Sequence, residues 1–145
     1  MIVVAIDPGV ATGIVVWNTD QREAVETYEL NQFKTCQTLE NWLYEDAAQT
    51  SVVIERYNIS IETVKKTRQT ASLEIIGVAR YFAECWGYPF VMQNASDAKH
   101  FMTDRKLRAL GWWVRSDHIR DAYRHLGLYM AEQLHDKEVL LAGKS

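Results

Sequence analysis

The 145 residues are 48% hydrophobic and 11% aromatic, enough to bury one sizeable core, which argues for a single domain over 1–145. No tract is rich enough in Pro, Gly or Ser to stay disordered, and no apolar run approaches the ~18 residues that cross a bilayer. The formal net charge of −3 does not by itself mark a polyanion binder.

Residues 2–6 (IVVAI) are wholly apolar and rich in β-branched side chains, which predicts a central strand buried on both faces. Residues 13–18 (GIVVWN) and 23–30 (EAVETYEL) read as two more strands joined by the polar turn NTDQR. Over 32–48, Phe33, Cys36, Leu39, Leu43 and Ala47 recur at spacings of three and four, one face of a helix. Residues 51–57 (SVVIERY) return to a buried strand, and 58–71 are polar and basic. A helix is predicted from Ser72 to Trp86, with Leu73, Ile76, Ala79 or Arg80, and Ala83 along one side; Gly87 stops it and Pro89 follows. Residues 89–93 (PFVMQ) form a fifth strand. Ser96 can cap one short helix and Thr103 another ending at Gly111. The last helix covers 117–134, with Ile119, Ala122, Leu126, Met130 and Leu134 facing the core.

Three strands in a meander, followed by crossovers through helices, predict an α/β fold. It is a five-stranded mixed sheet, three strands antiparallel and then two parallel to the first, with helices on both faces.

Charge is unevenly spread. Residues 1–55 carry two basic against nine acidic side chains, residues 56–125 twelve against seven, and the last twenty two against three. An acidic part joined to a basic middle suits a chain whose middle meets phosphates. Cys36 and Cys85 are too few for a disulfide framework or a zinc site. Both fall in helical segments and are expected to be small buried residues. Met1–Ile6 meets an acid with no basic leader, so the expected location is cytoplasmic.

Four side chains, Asp7, Glu55, Asp121 and His118, stand out together. Asp7 ends the first strand and Glu55 ends the apolar run VVI of the fourth. Asp121 lies in the last helix, with His118 three positions before it on the same face and Asp117 four before it. Parallel strands present their C-terminal ends on one sheet edge, so neighbouring first and fourth strands would bring Asp7 and Glu55 together. Two carboxylates on apolar strands need compensation. Hard oxygen ligands suit Mg²⁺ or Mn²⁺, and two such ions ~3.5–4 Å apart can activate water and stabilise the leaving oxygen of a phosphodiester. Gly9 and Gly13 would let a phosphate backbone or a tight hairpin come close.

AIDPGVATG, VVIERY and DHIRDA, in this order and spacing, resemble the three active-site motifs of the RuvC-type Holliday junction resolvases of the RNase H-like superfamily. The chain is most similar in length to the short members encoded by bacteriophages. The resemblance covers nearly the whole chain and includes ASDAKHFMTDRKLRALGWW, a basic stretch before the last helix. It implies an RNase H-like fold and a crossover junction endodeoxyribonuclease. The implied catalytic and metal-binding residues are Asp7, Glu55, His118 and Asp121, with Asp117 as the alternative to His118. The cofactor implied is Mg²⁺, two ions, with Mn²⁺ able to substitute, and the products carry 5′-phosphate and 3′-hydroxyl ends. The substrate implied is branched DNA: a Holliday junction, with Y-forks and flaps as further candidates.

Phosphate contacts are expected from Lys65, Lys66 and Arg68 and from Lys99, Arg105, Lys106 and Arg108. Arg56 and Tyr57 follow Glu55, and Tyr57 is a candidate for stacking on a junction base. Trp112 and Trp113 read as packing residues. The resemblance also implies a homodimer, with Ile75, Ile76, Ala79, Phe82 and Ala83 as its apolar helix face.

Three other readings compete. An ATP-binding module of the actin and sugar-kinase type shares a DPG-like loop but needs two lobes. A non-catalytic branched-DNA binder would keep the acids without cutting. A YqgF-type RNase H-like nuclease would act on RNA, and matched DNA and RNA substrates separate it from a resolvase.

Overall fold

Alternation along the two most apolar strands divides the core into two layers. On β1 (Ile2–Asp7), Val3 and Ala5 face one way and Val4 and Ile6 the other; on β4 (Thr50–Glu55), Val53 opposes Val52 and Ile54. All seven of these apolar side chains are fully buried, which is what a strand covered on both faces requires. The computed structural model describes residues 1–45, 47, 49–58 and 70–144. Its sheet is completed by β2 (Thr12–Asn18), β3 (Glu23–Leu30) and β5 (Phe90–Gln93).

The strand order is β3-β2-β1-β4-β5. The β1–β2 and β2–β3 pairs are antiparallel, and the β1–β4 and β4–β5 pairs are parallel. This is the mixed sheet expected from the element order. The β4–β1 register sets Ile54 against Ile6, so Glu55 and Asp7 leave the sheet side by side.

One face carries α1 (Gln32–Trp42) and α2 (Thr70–Trp86), whose Leu39, Ile75, Ile76, Ala79 and Ala83 close over Val4, Ile6, Val52 and Ile54. The other carries the long helix α5 (Asp117–Leu134), packed with Ala122, Leu126 and Met130 on Val3, Ala5, Val15 and Val53. Between β5 and α5 lie the short helices α3 (Ala95–Phe101) and α4 (Asp104–Ala109). Beyond α5 comes α6 (Lys137–Leu141), capped by Asp136. The Asp136 carboxylate also ties the end of the chain to Arg22 in the β2–β3 turn, at 2.5 Å. Among the described residues no helix is long and apolar enough to cross a membrane.

Several expectations need correction. Helix α1 stops at Trp42, and its Phe33 is 71% exposed. On α2 the buried line runs through Ile75, not Leu73, because the helix has two apolar stripes and the sheet takes the one through Ala71, Ile75, Ala79 and Ala83. That choice also covers Ile75, Ile76, Ala79 and Ala83 within the chain's own core, so they are not a free dimer face. Cys85 is exposed. Helix α3 is preceded by Asn94, not capped by Ser96, whereas Thr103 does cap α4, accepting from the Lys106 N–H. Trp112 packs as expected, edge-on to Trp17 at 5.1 Å and stacked on Tyr123 at 5.3 Å. Trp113 instead lies at the surface with the Arg108 and Arg120 guanidiniums over its ring, at 4.0 and 4.5 Å.

Gly13 has a different use from the one its motif suggests. A Cβ there would sit 2.1 Å from the His118 carbonyl oxygen and 2.7 Å from the Ile119 nitrogen. The first turn of α5 therefore rests directly on the β2 backbone. Gly13→Ala is expected to destabilise the protein by about 1–3 kcal/mol in urea unfolding, as overpacking against rigid backbone does. Gly77→Ala is the control: nothing lies within 4 Å of its Cβ position in α2, and it should gain up to about 1 kcal/mol of helix stability.

Candidate active site

The same alternation that sorts the core places the acids. Asp7 follows Val3 and Ala5 in phase, and Glu55 follows Val53, so both carboxyls belong to the face covered by α5. Asp7 is 8% exposed. Its burial, then a hydrogen bond with Glu55 and the negative charges of Glu55 and Asp121, push its carboxyl up to about 9; nearby Lys99 opposes this. Burial pushes Glu55 up as well. Hydrogen bonds with His125 and Asp7, together with the nearby Lys99 charge, outweigh that effect and leave Glu55 below its ordinary value. The two acids thus form a close pair that holds a proton on Asp7 and a carboxylate on Glu55.

Helix α5 brings the remaining groups. Its N-terminus is set by Ser116, whose Oγ accepts from the Ile119 N–H at 3.2 Å. With the first turn seated on Gly13, His118 Nδ1 lies 3.3 Å from Asp7 Oδ2. Asp117, one residue earlier, is largely exposed and paired with Arg120. Of the two neighbours, His118 is the one beside Asp7. One turn further on, Asp121 is partly exposed, with Arg124 Nε 3.4 Å from its Oδ1. Arg124 is itself held by the Met102 carbonyl and by Asp104 at 2.6 Å. Glu55, Lys99, Asp121, Arg124 and His125 line one small cleft.

His125, Arg124 and Gln93 are site neighbours absent from the sequence expectation. His125 is 2% exposed, and its Nε2 lies 3.2 Å from Glu55 Oε2. Its Nδ1 lies 2.9 Å from the side-chain amide of Gln93, the residue paired with Glu55 across the β4–β5 register. A signal was present: His125 follows Asp121 by four, one helical turn on the same side.

The residues expected to meet DNA are dispersed. Lys65, Lys66 and Arg68 lie outside the described residues. Lys99 stands by the acids, close enough to lower both. Arg105 and Arg108 are exposed on α4. The Lys106 ammonium sits 3.7 Å from the centroid of the Phe101 ring, and its partial burial lowers its pKa. Arg56 is exposed just past Glu55, its N–H bonded to the Gln93 carbonyl. Tyr57 is partly buried against the α1–α2 layer, which is the position of a rim tyrosine.

Asp7, Glu55 and Asp121 supply hard oxygen donors, and His118 an imidazole. A buried carboxyl pair obliged to retain a proton is one that a divalent cation would relieve, so the donor chemistry fits Mg²⁺ or Mn²⁺. Among the described residues no three such side chains already enclose an ion position.

The sheet order, its mixed directions and the helices on both faces define an RNase H-like fold, and solved structures place it in the RuvC-like form. One is T. thermophilus RuvC in complex with a Holliday junction substrate, with a TM-score of 0.62 and 15% identity over 90% of this chain and 94% of that one. Another is Thermus thermophilus RuvC, with a TM-score of 0.57 and 16% identity over 90% and 95%. No family model and no curated protein matches the chain.

The raised Asp7 has a consequence for stability. An unfolded Asp titrates near 3.8 and the folded one near 9, so between these pH values the native protein holds a proton that the unfolded chain has lost. Asp7's contribution is fully present below about pH 4 and is lost as pH rises towards 9. In EDTA, Asp7→Asn is expected to match the wild type near pH 4 and to exceed its Tm by roughly 3–8 °C at pH 8. Thermal melts at the two pH values measure this.

Proposed function

We propose that this chain is a metal-dependent, structure-selective DNA endonuclease that resolves Holliday junctions. The observation that carries the proposal is the Asp7–Glu55 pair at the ends of adjacent parallel strands, with His118 3.3 Å from Asp7 and Asp121 one helical turn away. The likeness in fold to RuvC, one example of which was solved with a Holliday junction substrate, supports the choice of substrate.

Asp7, Glu55 and Asp121, with His118, would hold the cations. Bound Mg²⁺ or Mn²⁺ supplies activation of a water and neutralises charge on the phosphodiester. The chain's own groups do the remaining work. Lys99, beside both acids, attracts the scissile phosphate into the cleft. Arg124 keeps Asp121 in place through their 3.4 Å pair. Arg56, Arg105 and Arg108, all exposed, bind flanking phosphates and make binding dependent on salt. Hydrolysis leaves a 5′-phosphate and a 3′-hydroxyl. A four-way junction has two symmetric cleavage points, so the working form is a homodimer.

The test is cleavage of end-labelled four-way, Y-shaped and linear DNA, with a matched RNA duplex, in Mg²⁺, Mn²⁺ or EDTA. The expected result is paired metal-dependent nicks in the junction that fall by more than about 100-fold in Asp7→Asn. Junction binding without cutting in either metal would make the protein a branched-DNA binder. Cutting confined to RNA would move it to the ribonucleases.

A further inference from the structure

We propose that His125 is a positioning residue that orients Glu55 for cation binding through a single imidazole tautomer set by Gln93; this rests on the metal-centre reading given above. Glu55 is the most exposed to solvent of the three side chains involved, at 27% against 2% for His125. A glutamate has three rotatable side-chain bonds, so something must choose its rotamer if it is to meet an ion at a defined place. The strand register places Glu55 and Gln93 as neighbours on β4 and β5. Helix α5 lays His125 across both.

Gln93 decides which imidazole nitrogen carries the proton. The amide is satisfied in one orientation only. Its nitrogen donates to His125 Nδ1 at 2.9 Å and to the His125 carbonyl at 3.2 Å, and its oxygen accepts from the Tyr129 N–H at 3.3 Å. Nδ1 is then an acceptor, so Nε2 carries the hydrogen and donates to Glu55 Oε2 at 3.2 Å. Both ring nitrogens of a nearly fully buried histidine are thereby used, and the Glu55 carboxyl is held from the helix side by His125 in addition to its bond with Asp7. Hydrogen-bonded partners of this kind orient ligating carboxylates, and their loss weakens metal affinity by about 10–100-fold. The same contact leaves His125 a donor to the carboxylate, not itself a ligand.

Two substitutions separate orientation from packing. In His125→Gln the side-chain amide reaches as far as Nε2 and can still donate to Glu55. In His125→Asn the amide replaces the Nδ1 side of the ring and is too short to reach Glu55. The probe is Mn²⁺ alone, titrated into the full chain and followed by electron paramagnetic resonance of the free ion, with melting curves to show that each variant is folded. His125→Asn is expected to weaken Mn²⁺ binding at least about tenfold, with His125→Gln retaining most of the affinity.

Equal affinity in His125→Asn and wild type, or equal losses in both variants, would overturn the proposal. Asp7→Asn separates the two levels of the argument. If it leaves Mn²⁺ binding intact, the metal-centre reading fails and this inference with it. If it removes binding while His125→Asn does not change it, only the role of His125 falls. The imidazole ¹⁵N shifts of the wild type need no variant: protonation at Nε2 supports the proposal, and protonation at Nδ1 overturns it.

Discussion

Helix α5 rests on the sheet at backbone distance, and the site depends on that seat. Where its first turn crosses β2 there is no side chain at position 13, and a single methyl group would meet the His118 carbonyl oxygen at 2.1 Å. Lifting the helix by the thickness of a side chain would carry His118 away from Asp7 and Asp121 away from the acid pair. The hydrophobic contacts further along, through Ala122, Leu126 and Met130, provide most of the helix's adhesion. They do not specify its height at this end. Burial supplies stability in proportion to area, while position to within an ångström comes from the steric floor.

On that floor the electrostatics are deliberately unbalanced. Two carboxyls sit side by side in a largely buried position, with a third acid one turn away. The protein supplies partial relief through Lys99, Arg124 and His125, each on a helix from the same side of the sheet. None of them fully neutralises Asp7, whose carboxyl remains far above its ordinary range. A site with this residual tension would be relieved by a positive charge that arrives from outside.

The acids were legible in the sequence because an apolar β-branched run that ends on Asp or Glu has few other uses, and IVVAID and VVIE both do so. The topology followed from the element order, since short turns force antiparallel pairs and helical crossovers force parallel ones. What was hidden depends on phase and on neighbours. Helix α2 carries two apolar stripes, and only the sheet decides that Ile75 is in and Leu73 is out. His125 lies in a helix where every residue from His125 to Ala131 is buried, so its polarity was masked by its apolar company. Gly13 looked like part of a loop motif because its true partner, the His118 backbone, is over a hundred residues away. Helix α6 was missed although Asp136 before Val139 is an ordinary capping signal.

The outer strand β3 shows how such a sheet stays solitary. It presents Glu23, Glu26 and Glu29 to solvent along an edge eight residues long, while the opposite edge, β5, has only four residues. Open strand edges are templates on which other chains can polymerise, and charge on one side and brevity on the other are two recognised safeguards. The acidic edge also repels polyanions. A polyanion approaching this molecule would be repelled from β3, so the strand that protects against aggregation would also act as an electrostatic fence that sets the direction of approach.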